Sequence, residues 1–354
     1  MHRKTFLTGL MGAIALSGIA LTAQAQDPIK IGEINHYKRL AAFAGPYKNG
    51  IELALEEVNA AGGVLGRPLE FIFRDDQGKP GEAIKIAEEL MTREGTVMLT
   101  GTILSNVGLA ISSLAAEKKY VYLASEPLAD ALVWGKGNDY TFRLRASTYM
   151  QAAMLAEQAA KTDAKTFATI APNYAYGKDA VAAFKKALLA LKPDVEFIAE
   201  QWPAVFKIDA GAEVQAIERA KPDAIYNVTF GPDLAKFVRE GTTRGLFEGR
   251  TTYGLLSGEP EYLDPLKDEA PEGWIVTGYP WYDFKSGPNK DFVDSYQARW
   301  DNHPGIGSLV GYMTVQSVVA VLEKAGSTDS EAIRVAFADL GVETPVGPIT
   351  FREI

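Results

Sequence analysis

Two doubly wound α/β units in tandem, each built on a parallel sheet, are the architecture this chain predicts. Three observations carry that expectation. Strand-like and helix-like segments alternate from residue 29 to residue 256. The alternation pauses and restarts near residue 144. At 354 residues the chain is also about twice the length of an ordinary domain.

The elements follow in order. Residues 29–34 form a short apolar run that reads as a strand. Residues 46–61 read as a helix, because Ile51, Ala54, Leu55 and Val58 share one face and Gly62-Gly63 stops it. A strand at 69–73 precedes a helix at 81–93, where Ile84, Ala87, Leu90 and Met91 recur at helical spacing. Residues 97–100 read as a strand, 105–117 as a helix and 120–124 as a strand. That β-α-β-α-β-α-β order is the signature of a parallel sheet covered on both faces.

A strand at 142–144 leads into the second unit. There, helices at 150–161, 178–191, 212–220 and 233–241 alternate with strands at 166–171, 195–200, 224–229 and 252–256. A stretch rich in Pro, Gly and aromatics covers 265–282. Helices at 291–300, 307–325 and 330–337 follow. No low-complexity segment or short repeat interrupts the pattern.

The N-terminus reads as an export signal. His2, Arg3 and Lys4 form a basic start, residues 10–21 are apolar, and Ala23-Gln24-Ala25 is a small-x-small cleavage site. The apolar run falls short of the roughly 20 residues that span a bilayer. Cleavage after Ala25 is therefore expected, delivering the chain to the periplasm. Loss of Arg3 and Lys4 moves the formal charge from −9 to −11. That balance argues against nucleic acid or an anionic membrane as partner. With no Cys in the chain, stability rests on packing.

Enzyme classes find little support. His2 leaves with the signal, and His36 and His303 stand far apart without metal-ligand spacing. No Gly-x-Ser-x-Gly elbow or phosphate loop is present. Gly62-Gly63-Val64-Leu65-Gly66 ends a helix instead of opening one, so it is no dinucleotide fingerprint. Asp75-Asp76 reads as a solvated acidic turn. No catalytic activity, cofactor or metal is expected.

Residues 50–54, then Glu57-Val58-Asn59-Ala60-Ala61-Gly62-Gly63-Val64-Leu65-Gly66-Arg67-Pro68-Leu69-Glu70 and Asp75-Asp76-Gln77, carry a specific resemblance. The segment resembles the first β-α-β unit of the leucine/isoleucine/valine-type periplasmic binding proteins, the type I solute receptors of ABC importers. The likeness extends over essentially the whole mature chain, including Tyr176-Gly177 and Gly231-Pro232-Asp233. It implies two lobes joined by a hinge of three crossovers. One lobe would hold residues 27–143 plus 278–340, the other 144–277 plus 341–354. Family members normally continue with further strands beyond the point reached at Ile354. A monomer is expected, with a permease in the inner membrane as partner.

In an open parallel sheet, ligands bind beyond the carboxyl ends of the strands. The first such end is Thr100-Gly101-Thr102-Ile103-Leu104-Ser105-Asn106. Ser105 stands where a helix begins, and free N–H groups there suit a carboxylate. By resemblance, Ser105 binds the ligand carboxylate; a plain N-cap serine is the compatible alternative. The second end is Ala124-Ser125-Glu126-Pro127-Leu128, whose backbone would complete that seat. Glu126 departs from the family's small residues there. It is read as an interlobe or hinge residue, as a group that accepts a hydrogen bond from a ligand hydroxyl, or as a solvated loop acid. In the second lobe, Tyr176 and Phe230, next to Thr229, match family positions that close over the ligand. Phe43 matches an aromatic wall in the first lobe, and the cluster Tyr279-Pro280-Trp281-Tyr282 adds aromatic surface.

Amino-acid-binding members hold the ligand ammonium with an acid after the strand matching 252–256. Leu256 takes that position here, with Glu259 three residues on. An ammonium beside leucine would be buried unpaired at a cost of several kcal/mol. The expected ligand is thus a small aromatic carboxylate, of hydroxybenzoate or cinnamate type. A branched-chain amino acid receptor and a periplasmic ligand-sensing subunit of a signalling system are the alternatives.

Overall fold

The computed structural model describes residues 27–352. The expected signal segment and its cleavage after Ala25 lie outside the described residues. Two five-stranded parallel sheets organise the chain. In the first, the order is β2-β1-β3-β4-β5, from β1 (Ile29–Asn35), β2 (Leu69–Asp75), β3 (Met98–Gly101), β4 (Tyr122–Ala124) and β5 (Thr141–Arg143). In the second the order is β10-β9-β8-β6-β7, from β6 (Thr166–Ile170), β7 (Glu196–Gln201), β8 (Ala224–Asn227), β9 (Thr251–Gly258) and β10 (Ile275–Gly278). The strand order reverses beside β1 and beside β6, which puts a crevice at the carboxyl edge of each sheet.

Helices cover both faces. The first unit carries α1 (Ala41–Ala60), α2 (Pro80–Glu89) and α3 (Ser105–Lys118). The second carries α4 (Thr148–Ala160), α5 (Ala175–Leu191), α6 (Ala210–Ala220), α7 (Gly231–Thr243) and the single turn α8 (Pro260–Leu263). Then α9 (Pro288–Trp300), α10 (Ile306–Ala325) and α11 (Ser330–Ala336) return to the first unit. There α10 packs along α1, and the approach is close at Gly311: a Cβ there would lie 2.0 Å from the Tyr47 carbonyl oxygen. The 20 residues of α10 are apolar enough to cross a membrane, but 67% of that stretch is buried in the protein, as in a core helix.

Most boundaries depart from the sequence reading by a residue or two. The start of α1 is the larger departure: it begins at Ala41, so Pro46 lies inside it. The helix rule places Pro at the first turn, and the extra turn ahead of it is held by Phe43 and Ala44 donating to the Leu40 carbonyl. Residues 90–94 widen into a π turn closed by Gly95 at φ 68°. The Pro/Gly/aromatic stretch at 265–282 contains the edge strand β10, which no alternation announces.

Of residues 341–354, expected with the second lobe, the structure describes those up to 352. There β11 (Leu340–Val342) and β12 (Ile349–Phe351) pair antiparallel as a separate ribbon. Phe351 meets Phe337 edge-on at 5.1 Å, and Phe337 stacks on Phe142 of β5 at 4.0 Å. That apolar contact ties the ribbon to the first unit.

Candidate functional site

The two sheets point their carboxyl ends at one shared cleft. Its wall is made by Ile103, Ser105, Glu126, Leu128 and Arg145 together with Tyr174, Tyr176, Phe230, Leu256 and Tyr262. Thr102 and Leu256, at strand ends beside it, both adopt left-handed backbone, at φ 50° and 63°. Such conformations cost about 1–3 kcal/mol and concentrate at functional sites.

The start of α3 supplies the polar end. Ser105 is its first residue, buried, and Leu104 before it makes no side-chain cap. The Ser105 hydroxyl accepts from the Ala129 N–H at 3.2 Å, which ties it to the neighbouring loop. Across the cleft the aromatic rings interlock. Phe230 meets Tyr176 at 5.7 Å and Phe206 at 5.7 Å, both edge-on, and lies 6.3 Å from Tyr262. Tyr174 lies 5.8 Å from Tyr176. These rings nearly fill the cleft, which encloses about 20 Å3, room for one water. A solute of drug-fragment size needs a pocket of several hundred Å3, so entry requires the two units to part.

Several contacts hold them together. The Arg39 guanidinium sits 5.1 Å over the Phe206 ring. Asp179 of α5 accepts from the Ala131 N–H at 3.1 Å. Glu261 of α8 accepts from Gly307 at 2.6 Å and Ile306 at 3.1 Å, so it caps α10 in the other unit. A carboxylate there is favoured by the helix dipole.

Charge is concentrated behind the rings. Arg145, two residues past β5, forms a buried ion pair with Glu259. Burial pushes the Glu259 carboxyl up to about 8, against the pull of Arg145. Glu126 is also raised to about 8 by burial, although Arg145 and the Asn35 amide both oppose it. That amide donates to Glu126 Oε1 at 2.5 Å, while Oε2 of Glu126 and of Glu259 are buried without a partner. The Tyr176 hydroxyl is likewise buried and unpaired. Buried polar groups are normally paired, so these atoms mark where a bound solute can make hydrogen bonds.

Five expected residues line the cleft: Ser105, Glu126, Tyr176, Phe230 and Leu256. The others serve elsewhere. Ser125 accepts from the Thr314 hydroxyl at 3.0 Å, inside the β4–α10 core. The Thr229 hydroxyl donates to Asn227 at 2.7 Å. Phe43 is a core residue whose ring lies beneath the Arg145 guanidinium at 5.5 Å. Leu104 is buried against Gly78. Pro127 crowds Gly108, where a Cβ would lie 2.9 Å from it. Tyr282 is 60% exposed on an outer turn, so the Tyr279–Tyr282 cluster does not reach the cleft.

The acid inventory is corrected as well. Glu126 is 1% exposed, not a solvated loop acid. Glu259, three residues on from Leu256, is also 1% exposed. The reason is the left-handed turn at Leu256, closed by Glu259 N–H to the Leu256 carbonyl at 3.1 Å, which folds Glu259 back under the site. Arg145 and Glu259 also border a larger groove of about 700 Å3 behind the crossovers, lined by Met150, Met154, Leu309 and Met313. The helix start in that groove, Ile306, is already capped by Glu261.

Residues 28–353 match the family model described as periplasmic binding protein. The chain belongs to the periplasmic binding protein family. The leucine-, isoleucine-, valine-, threonine- and alanine-binding protein of Pseudomonas aeruginosa is 25% identical, over 98% of this chain and 92% of its own. The Leu/Ile/Val-binding protein of Escherichia coli K12 is 24% identical, over 99% and 92%. Among solved structures, an ABC transporter solute-binding protein of Rhodopseudomonas palustris BisB5, in complex with 3,4-dihydroxybenzoic acid, aligns with TM-score 0.80 and 24% identity, over 92% of this chain and 89% of that one. A branched-chain amino acid transporter substrate-binding protein of Streptococcus pneumoniae, in complex with isoleucine, aligns with TM-score 0.80 and 22% identity, over 92% of each. At such identities the structures establish the type I fold.

This periplasmic binding protein aligns over most of its length with solute-binding proteins of ABC transporters. Its family places it in the periplasm as a receptor for a small-molecule ligand.

Proposed function

We propose that the solute is a small aromatic carboxylate of hydroxybenzoate or cinnamate type, captured by hinge closure and released unchanged. One observation carries the reading: four aromatic rings, Tyr174, Tyr176, Phe230 and Tyr262, face the helix start at Ser105 across a single cleft. A planar ring stacks between such walls. Its carboxylate meets the free N–H groups of α3. The unpaired oxygen of Glu126 then meets a ring hydroxyl. With its pKa raised to about 8, that carboxyl is largely protonated at neutral pH and can donate as well as accept.

Glu259 supports this reading by its engagement. Its Oε1 is already paired with Arg145, so a ligand ammonium at the unpaired Oε2 would sit close to a guanidinium of the same charge. The same two buried acids, Glu126 and Glu259, are what favour the second reading, a branched-chain amino acid held by its nitrogen. Sensing on behalf of a signalling partner would use the same closure.

In the closing motion, residues 27–143 with 278–340 act as one lobe and the chain between them as the other. Ligand contacts on both sides favour the closed state, which the permease distinguishes from the open one. A thermal-shift panel tests the proposal. Stabilisation by 4-hydroxybenzoate but not by leucine is expected; the reverse pattern refutes it.

A further inference from the structure

Neither histidine carries metal-ligand spacing in sequence, and no metal was expected. The fold changes that for His36. It follows β1 directly, while Asp75 ends the neighbouring strand β2 and Asp76 follows it, so parallel pairing brings the three together at the carboxyl edge of the first sheet. His36 Nδ1 lies 3.7 Å from Asp75 Oδ1 and 3.7 Å from Asp76 Oδ1. One ligand-capable atom from each residue falls within 4.8 Å of the others. The acidic turn is not solvated as expected: Asp76 is fully buried, and the His36 side chain is 6% exposed.

We propose that His36, Asp75 and Asp76 form a binding site for a divalent transition-metal ion of the zinc or manganese class. The gaps of 3.7 Å are too long for hydrogen bonds. They are close to the ~3.4 Å that separates ligand atoms around a tetrahedral ion with bonds near 2.1 Å. Three buried atoms of the cluster, His36 Nδ1, Asp75 Oδ2 and Asp76 Oδ2, have no hydrogen-bond partner at all. An ion bound to His36 Nδ1 and to the two carboxylates gives the cluster the partner it lacks.

The supporting contacts are already in place. Asp75 Oδ1 accepts from the Gln77 N–H at 2.8 Å, and Asp76 Oδ1 from the Gly78 N–H at 2.6 Å, which fixes both carboxylates. The His36 backbone N–H donates to Asn35 Oδ1 at 2.8 Å. Gly78, at φ 69°, leaves His36 Nε2 uncrowded; a Cβ there would lie 3.3 Å from it. The surroundings are acidic: Glu33 and Glu126 both feel the Asp76 charge. Arg39 is the opposing cation, lying over Phe206. One imidazole with two carboxylates suits zinc, manganese or cobalt, and disfavours copper(I), which prefers sulfur. Asp75, with 19% of its side chain exposed, leaves a solvent side for water ligands. The His36 ring lies 6.4 Å from Phe206, which meets Phe230 of the cleft, and the site does not depend on which solute the cleft takes.

The test titrates chelator-stripped protein with ZnCl2 by calorimetry in a non-coordinating buffer. One ion per chain is expected, bound about tenfold or more weakly by His36→Ala and Asp76→Asn. His303→Ala, which removes the exposed His303–Asp264 pair, is expected to bind as the wild type does. Absence of saturable binding, or equal affinity in His36→Ala, overturns the proposal. Should His36→Ala fail to fold, the imidazole 15N spectrum of the wild type decides. Of the chain's 3 histidines, His2 belongs to the expected signal segment, so removal of His303 assigns its signal and leaves that of His36. Zinc must then shift the remaining Nδ1 resonance, and an unmoved resonance overturns the site.

Discussion

Replacing Arg145 by methionine isolates the buried charge pair behind the cleft. The guanidinium pairs with Glu259 and also faces Glu126 and Glu261. Methionine fills much of the volume but leaves Glu259 with no partner on either oxygen, since Oε2 already lacks one. Breaking a buried pair in this way costs about 3–5 kcal/mol. With an unfolding entropy of about 2.1 cal/mol/K per residue, a chain of this length loses about 4–7 °C in Tm. The loss depends on pH. Without the guanidinium the Glu259 carboxyl rises further above its ordinary value, so the variant holds a proton that the wild type has released. Its deficit therefore grows as pH rises through about 8 and shrinks toward pH 6. Urea unfolding of both proteins at pH 6 and pH 8.5 reads this out. A deficit below about 1 kcal/mol at both pH values, or one larger at pH 6, refutes the reasoning.

Three further outcomes follow from the same geometry. Ser105→Ala is expected to weaken 4-hydroxybenzoate binding by about 1.5–3 kcal/mol, roughly ten- to a hundredfold in Kd by calorimetry. An unchanged Kd removes Ser105 from the site. Because burial holds the Glu126 and Glu259 carboxyls above their unfolded values, wild-type stability is expected to fall as pH rises from about 5 to 8, with a shallower slope in Glu126→Gln; a rising profile by urea unfolding contradicts this. Glu261→Ala uncaps α10 from the opposite unit and is expected to cost about 0.5–2 kcal/mol. X-ray scattering is also expected to show a larger radius of gyration for that variant, and an unchanged radius argues against Glu261 as an interlobe tie.

The alternating elements were legible because parallel strands and their covering helices have distinct periods. The strand β10 was not, since it is an edge of 4 residues set among Pro, Gly and aromatics. At the site, Ser105, Glu126, Tyr176, Phe230 and Leu256 could be named because strand-to-helix junctions are visible in a sequence. Arg145 was missed because nothing local marks a crossover residue as buried, and its partner lies 114 positions away. Tyr174 and Tyr262 carry no local mark in the sequence, and only the second sheet brings them to the cleft with Phe230. The His36–Asp75–Asp76 grouping is equally a product of pairing, because β1 and β2 align His36 with an acidic turn about 40 residues on.

A crystal of the protein grown with equal concentrations of 4-hydroxybenzoate and L-leucine bears most directly on the ligand. The aromatic acid is predicted in the cleft, its carboxylate on the first turn of α3 and its ring between Tyr176 and Phe230. Leucine there instead, with its nitrogen on Glu259 or Glu126, would contradict the account.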